Sequence, residues 1–466
     1  MLCAAALGFG AAYAEDTHAT LSSPAVQPLV VNHEFSLENG LKLLVKEDHR
    51  APVVVSQVWY RVGSGYENTG ITGISHMLEH MMFKGTPLHP SGELSHIIAA
   101  NGGSENAFTA RDYTAYFQSM ENTRLGISFA LEADRMRNLS MPSEEFVKEH
   151  EVVMEERRLR TDDNPRALLQ EQLLATAFVN SPYHWSVIGW MGDIERLTVD
   201  DVRGWYHRWY APNNATVVVV GDVHPEEVLK LAKQYFEPLP PTQGLSIPKD
   251  APEPAQRGER RVTLKAPARL PFLVMGYHVP VLRSTTIPWE PYALDVLAQL
   301  LDGDASARFT RELVRGQEVA ASTDVSYDAA ARLQDLFTLS GTPAQGKSIQ
   351  ALETALREQV RHMREEPVSA AELERVKTRA VADNVYQRDS VFYQAMQIGV
   401  FDSVRLDWHL ADTYVDHIRA VTAEQVQAVA RQYLLDDNLT VAILDPQPID
   451  PHHPVAEGAV GGDHVR

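Results

Sequence analysis

The sequence has few cysteines, no long apolar run after its first residues and few basic residues, and each of these shortages excludes a class of protein. Cys3 is the only cysteine in 466 residues, so the fold cannot depend on an intramolecular disulfide. After the first residues, no apolar run approaches the ~18 residues that a transmembrane helix needs, and we predict no membrane span. Basic residues are also scarce, because 42 Lys and Arg stand against 62 Asp and Glu for a net charge of −20. This balance argues against a nucleic-acid partner.

The beginning of the chain is typical of a secreted protein. Residues 1–14 are small and apolar and end in Ala12-Tyr13-Ala14, an A-x-A cleavage pattern, before polar residues follow. The basic region that opens a signal peptide is missing, so we expect the start to lie inside a longer signal peptide. We predict that residues 1–14 are removed and that the protein is periplasmic, which a mature chain without cysteine suits.

The length of the chain and the position of its prolines indicate how the rest of it is divided into domains. A chain of 466 residues suggests two to four domains, and a proline-rich stretch near its middle is typical of a linker. The predicted division is a first domain at 30–237, a linker at 238–257, a second domain at 258–446 and a flexible tail at 447–466.

The two halves repeat one plan. Residues 198–202 match 422–426, and the same offset of 224 (422 − 198) matches 214–217 with 438–441. Each copy begins with a capping-box pattern, continues as an amphipathic helix and turns into a buried strand. An offset that is kept across helix, loop and strand indicates an internal duplication.

Strand and helix signals also alternate within the first half. Strand patterns flank the turn Asn39-Gly40, a strong hairpin signal. The further strands are predicted at 53–62, 106–109 and 114–117, and the helices at 94–101, 126–138 and 143–160. We therefore predict an α+β fold of two homologous α/β domains, each a sheet with helices packed on it.

One short motif carries chemistry. His76 and His80 are four residues apart, so on a helix both imidazoles can reach a single metal ion. Glu79 completes the order H-x-x-E-H, the inverzincin form of the zinc-hydrolase motifs. A catalytic zinc takes three protein ligands, and two histidines with one glutamate are a common set. A third ligand should lie on another element, and Glu149 and Glu156 share one stripe of a predicted downstream helix.

With these residues the chain resembles the pitrilysin-type metallopeptidases, the group of insulin-degrading enzyme and the mitochondrial processing peptidase. In that family the third ligand follows the second histidine at about the spacing of Glu156 from His80, and another acidic residue stands seven positions earlier. The resemblance implies one Zn²⁺ per chain, held by His76, His80 and Glu156. It also implies that Glu79 is the general base and that Glu149 lies behind the ligands.

Another stretch that resembles the family is 106–109. In relatives the matching segment is an edge strand on which the substrate lies extended, so the resemblance implies that Asn106, Ala107 and Phe108 bind substrate. Main-chain hydrogen bonds at such an edge give affinity with little demand on side chains. The alternative, that these residues merely close a sheet, is open above all for Phe108 and Thr109.

Relatives also supply an Arg and a Tyr from the second half to stabilise the tetrahedral intermediate. Val314 and Ala321 stand at the aligned positions, and neither side chain can donate a hydrogen bond. Arg308, Arg311 and Arg315 lie close enough in sequence to substitute, and a shifted register of the alignment would also explain the absence of the pair at these two positions. Some bacterial relatives divide the zinc motif and the Arg/Tyr pair between two homologous chains. The resemblance therefore implies that this chain is the zinc-bearing subunit of a heterodimer, with a homodimer as the other possibility.

The predicted function is that of a zinc-dependent endopeptidase that cleaves unfolded or extended peptides. The alternative is a non-catalytic homologue that acts as a peptide-binding or structural subunit. The complete set of ligands and base favours the enzyme, because degenerate members usually lose some of them. The missing Arg/Tyr pair favours the alternative.

Overall fold

The structure is a computed structural model that describes residues 32–449. The predicted signal peptide at 1–14 and residues 450–466 of the predicted tail lie outside this range, so the periplasmic location stays a prediction. Among the described residues, no helix combines the length and the apolar composition that crossing a bilayer requires.

The described chain alternates between strands and helices. The strands are β1 (Asn32–Ser36), β2 (Lys42–Glu47), β3 (Val53–Tyr60), β4 (Ser104–Thr109), β5 (Thr114–Glu121), β6 (Ala215–Gly221), β7 (Arg260–Pro267), β8 (Phe272–Val279), β9 (Ala320–Ser326), β10 (Asp335–Pro343) and β11 (Leu439–Gln447). The α-helices are α1 (Ile74–Met81), α2 (Glu93–Ala100), α3 (Leu125–Asn138), α4 (Ser143–Arg157), α5 (Pro165–Ala177), α6 (Met191–Ile194), α7 (Val199–Trp209), α8 (Pro225–Tyr235), α9 (Glu290–Asp302), α10 (Ile349–Glu365), α11 (Ala370–Gln387), α12 (Val391–Ser403), α13 (Leu410–Ala420) and α14 (Ala423–Tyr433).

The first half forms a six-stranded sheet in the order β1-β2-β6-β3-β5-β4. The predicted turn at Asn39-Gly40 is confirmed, since it joins β1 to β2 in an antiparallel hairpin. Gly40 has a φ of 88°, a conformation that costs glycine little because it has no Cβ. The other neighbours are antiparallel except β2 and β6, which run parallel. One edge of this sheet is β4.

The second half repeats this plan. Its sheet has the order β7-β11-β8-β10-β9, with β7 and β11 parallel, which is the order of the first sheet from β2 onward. Both predicted capping boxes are present: Thr198 caps α7 before β6, and Thr422 caps α14 before β11. The predicted α+β fold of two homologous domains is confirmed.

Each half also places a helix on the sheet of the other half. From the first half, α5 packs on the second sheet, where Leu173 shares a core cluster with Val274. From the second half, α12 packs on the first sheet, where Ile398 shares a cluster with Trp59. A Cβ on Gly399 of α12 would lie 2.0 Å from Trp59 Cε2, so only glycine permits this close approach. The two helices begin at residues 165 and 391, an offset of 226 (391 − 165) that makes them counterparts in the duplication.

A buried arginine joins the two halves as well. Arg332, 5% exposed, donates from Nε to Asp112 Oδ1 at 2.9 Å, in the turn between β4 and β5. Its terminal nitrogens donate to Asp250 Oδ1 at 2.6 Å and to the main-chain oxygen of Gly65 at 2.9 Å. The guanidinium carbon lies 4.2 Å from the ring centroid of Tyr66, a cation–π contact. Arg332 of the second half is therefore bound by Asp112, Gly65 and Tyr66 of the first half and by Asp250 of the segment between α8 and β7. These four residues are called the Arg332 socket below.

Candidate metal centre

The helix α1 carries the histidines and is buried along its whole length. Its N-terminus follows Gly73, which has a φ of 87° and leaves no room for a side chain, since a Cβ would lie 2.3 Å from Ile188 O. The carboxylate of Glu67 accepts hydrogen bonds from the N–H groups of Gly73 at 2.7 Å and Ser75 at 2.8 Å. Burial raises the pKa of Glu67 to about 8, against the lowering effect of these two donors. This cap fixes where α1 begins and so where its histidines point.

The structure brings together the three side chains that the sequence selects as ligands. His76 Nε2 lies 3.7 Å from Glu156 Oε1, and His80 Nε2 lies 3.3 Å from Glu156 Oε2. One ligand atom from each of the three residues lies within 4.8 Å of the others. Ligand atoms around tetrahedral zinc, with bonds of about 2.0–2.1 Å, are separated by about 3.4 Å. The two imidazoles and the carboxylate therefore fit a zinc ion.

Glu149 lies behind this cluster. Its Oε2 is 3.1 Å from His80 Nδ1, and its Oε1 is 2.5 Å from Lys84 Nζ. Partial burial acts to raise the pKa of Glu149, but the hydrogen bond to His80 and the contacts with Lys84 lower it to about 2. An ionised Glu149 accepts the Nδ1–H of His80 and so directs the Nε2 lone pair at Glu156, the arrangement that metal-binding histidines require.

Glu79 lies beside the cluster at the edge of the first sheet. Glu79 is 3% exposed, and Thr109 Oγ1 donates a hydrogen bond to its Oε2 at 2.6 Å. Thr109 is the last residue of β4, the edge strand. A polypeptide that paired with this edge would therefore lie next to the carboxylate and the candidate metal ligands.

The free edge of β4 is defined by its hydrogen bonding with β5. Ala110 N donates to Tyr113 O at 2.8 Å, and hydrogen-bonded pairs alternate along an antiparallel ladder. Phe108 therefore directs its N–H and C=O at β5, whereas Ala107, which is 0% exposed, directs its own away from β5. There the N–H of Ala107 donates to Asn106 Oδ1 at 2.8 Å. The side chain of Phe108 is buried, in edge contact with the ring of Trp59.

The positions aligned with the Arg/Tyr pair lie in the second half. Val314 ends a π-helical segment, Phe309–Val314, and packs against the second core. Ala321 is exposed on β9, the edge strand of the second sheet. Arg308 donates two hydrogen bonds of 2.9 Å to Glu372, and Arg311 donates to the adjacent glutamate at 2.5 Å. Both guanidinium groups are thus bound to carboxylates of the second domain.

Sequence reasoning missed several residues that support the cluster. Lys84 follows His80 by four residues, the interval that relates His80 to His76, so helical spacing could have pointed to it. Arg160 Nη1, 2.8 Å from Glu156 Oε1, has the same spacing from Glu156. For Thr109 and the cap on α1 no such signal exists, because their contacts depend on how the sheet meets the helix.

Two models of known protein families match this chain. A family model described as "Insulinase (Peptidase family M16)" matches residues 42–189. A second model, described as "Peptidase M16 inactive domain", matches residues 196–380. The first contains the H-x-x-E-H motif and Glu156.

Individual relatives align over most of the chain. The zinc protease PqqE of Helicobacter pylori is 33% identical over 435 residues, covering 91% of this chain and 95% of the relative. The uncharacterized zinc protease YmxG of Bacillus subtilis is 24% identical over 414 residues, covering 88% and 98%.

Solved structures show the same fold. A protease from Helicobacter pylori superimposes with a TM-score of 0.85 at 30% identity, covering 90% of this chain and all of that one. The periplasmic protease PqqL of Escherichia coli superimposes with a TM-score of 0.71 at 19% identity, covering 91% of this chain and 49% of PqqL.

Proposed function

Because the chain belongs to the insulinase family of peptidases, the pitrilysin-type family M16, we propose that it is a zinc-dependent endopeptidase acting on unfolded or extended peptides. One observation carries this proposal. Two buried imidazoles and a carboxylate converge within 4.8 Å, and Glu79 is held next to them by Thr109 at the edge of a sheet. Metal ligands, a base and a peptide-binding edge are the parts that metal-assisted peptide hydrolysis needs.

The residues divide the chemistry between them. His76, His80 and Glu156 would hold the zinc ion, one per chain. A bound zinc ion supplies Lewis acidity that activates water and polarises the peptide carbonyl. Glu79 takes the proton from the attacking water and delivers it to the leaving amine. The Thr109 hydroxyl donates to Oε2 of Glu79 and so holds the carboxylate beside the candidate metal ligands.

The substrate is held by main-chain pairing. Because Ala107 is buried, a peptide that added to β4 would first displace the groups that cover it, the amide oxygen of Asn106 among them. It would then exchange hydrogen bonds with the outward N–H and C=O of Ala107. Such pairing reads backbone geometry, so many extended sequences bind and a folded chain does not. A cavity of about 430 Å³ continues from Phe108 and Thr109 to Asp328 of the second half. The substrate would therefore run between the two halves.

We further propose that the active particle is a dimer in which this chain is the zinc-bearing subunit. Val314 and Ala321 provide no donor, and Arg308 and Arg311 are bound to glutamates of their own domain. Of the three arginines that could substitute, this leaves Arg315, which is exposed and could supply one donor but not a pair. A homologous partner with the Arg/Tyr pair would supply the missing donors. The chain also superimposes on only 49% of PqqL, so a second chain of this fold would complete a molecule of that size.

The test is to measure zinc content and peptidase activity of the purified mature chain, with and without a homologue encoded beside it. We expect one zinc ion per chain and cleavage of unstructured peptides that requires the partner. Full activity of the chain alone would refute the heterodimer but not the peptidase. Zinc without cleavage in either preparation would favour a non-catalytic peptide-binding or structural subunit.

Glu149→Gln should weaken zinc binding without removing a ligand. The glutamine amide is uncharged, so it holds the Nδ1–H of His80 less strongly than the Glu149 carboxylate does. Losing such a partner of a metal-binding histidine typically costs about 10–100-fold in metal affinity or activity. Zinc affinity is measured by competition with a chromogenic chelator. Glu155→Gln on the same helix is the matched control, since Glu155 is 58% exposed and contacts only Arg158 among the described ion pairs. Equal zinc affinities for Glu149→Gln and wild type would refute the role of Glu149.

A further inference from the structure

A second group of histidines and carboxylates lies where two parallel strands end. β2 and β6 run parallel, with Glu47 opposite Gly221. Because neighbouring parallel strands finish at the same end of a sheet, the residues that follow β2 and β6 lie close together there. His49 follows β2, and His224 follows β6 directly before α8.

The side chains in this group face one another. His49 Nε2 lies 3.0 Å from Glu47 Oε2, and His224 Nδ1 lies 3.8 Å from the same oxygen. One ligand atom from each of the three residues lies within 4.8 Å of the others. These separations match those of the catalytic cluster, 3.3 and 3.7 Å. A third imidazole, that of His33, lies 3.6 Å from the other oxygen of Glu47.

A carboxylate also stands behind the central histidine. Asp222 Oδ1 is 2.6 Å from His49 Nδ1, and Asn122 Nδ2 donates to Asp222 Oδ2 at 2.7 Å. The hydrogen bonds to Asp222 and Glu47 raise the pKa of His49, because a protonated ring donates to both carboxylates. Once Nε2 has lost its proton, Nε2 and Glu47 Oε2, 3.0 Å apart, are two acceptors that a metal ion can bridge in the proton's place. The order carboxylate–imidazole–carboxylate is the one that Glu149, His80 and Glu156 form at the catalytic cluster, and it is typical of metal-binding histidines.

From this geometry we propose a second metal site at the ends of β2 and β6, formed by Glu47, His49 and His224 with Asp222 behind His49. Two imidazoles and one carboxylate select a first-row transition ion such as Zn²⁺ over Mg²⁺ or Ca²⁺, which prefer oxygen ligands. The site is open to solvent, since the side chains of Glu47, His49 and His224 are 27%, 49% and 70% exposed. Its ion exchanges with the medium, and it joins both strand ends to the start of α8.

The experiment measures zinc stoichiometry by isothermal titration and elemental analysis of the full chain. Wild type is expected to bind two zinc ions. The double variant His49→Ala/His224→Ala should bind one and, assayed together with the partner subunit, keep its peptidase activity, whereas His76→Ala/His80→Ala should keep only the exchangeable ion. Asp222→Asn should retain the second site with about 10–100-fold weaker binding. His409→Ala is the control, since His409 is exposed and bound to Asp407 alone among the described ion pairs.

Either of two results would overturn the proposal. One is a single zinc ion per chain in wild type at micromolar free zinc. The other is a second ion that His49→Ala/His224→Ala still binds. Neither result bears on the catalytic cluster, because that cluster is tested separately by His76→Ala/His80→Ala.

Discussion

Replacing Glu79 with glutamine is expected to abolish peptide hydrolysis while the chain still binds zinc. The amide cannot accept the proton of the attacking water, and loss of a general base typically costs about 10²–10⁴-fold in rate. Zinc binding persists because Glu79 is not among the three converging ligands. In the wild type Thr109 Oγ1 donates to the Glu79 carboxylate at 2.6 Å. The fold persists in the variant because an amide oxygen can accept the same hydrogen bond. Cleavage of a peptide pool, followed by mass spectrometry, gives the rate.

Glu151→Gln provides the matched control for this prediction. Glu151 is exposed on α4, between Glu149 and Glu156 in sequence, and its replacement should leave both zinc content and cleavage unchanged. Cleavage at near wild-type rate by Glu79→Gln, in a preparation free of contaminating protease, would falsify the assignment of the base. Loss of zinc in the same variant would instead show that Glu79 supports the ligands.

Arg332→Met is expected to cause a large loss of stability, because Arg332 joins the two halves. The substitution keeps an apolar stem of similar length but leaves Asp112, 4% exposed, without its charged partner. Removing one member of a buried ion pair typically costs about 3–5 kcal/mol. The main-chain oxygen of Gly65 loses its donor as well. Urea unfolding followed by circular dichroism gives the free energy of unfolding.

An exposed arginine separates this effect from a general effect of removing charge. Arg361 on α10 contacts Glu358 and Glu365 and is 44% exposed. Arg361→Met should leave the free energy of unfolding unchanged within error, because exposed ion pairs contribute little. If both variants unfold like wild type, the Arg332 socket does not hold the halves together.

Much of the candidate centre could be predicted because local spacing determines it. The four-residue spacing of His76 and His80 places both imidazoles on one face of α1 whatever surrounds that helix. The turn at Asn39-Gly40 and the two capping boxes are local in the same sense, and the structure contains all of them. The family resemblance supplied Glu156, whose distance along the chain no local rule could fix.

The rest depends on contacts between distant segments. Thr109 meets Glu79 only because β4 lies beside α1, and Glu67 caps that helix through a loop with no periodic pattern. His49 and His224 are brought together by the register of β2 and β6, which the sequence of either segment leaves undetermined. The placement of α5 and α12 could not be predicted either, since an apolar helix face does not reveal which of two similar sheets it covers.

The exchange of α5 and α12 has a consequence for biosynthesis. All strands of the first sheet have been translated once Gly221 is made, yet the helix that covers Trp59 and Val218 begins only at Val391. During synthesis this apolar face stays exposed to solvent until α12, in the second half, has emerged from the ribosome. The nascent chain therefore presents a surface that chaperones bind. A chain whose synthesis stops early lacks α12. Its first domain can then bury this face only against another molecule.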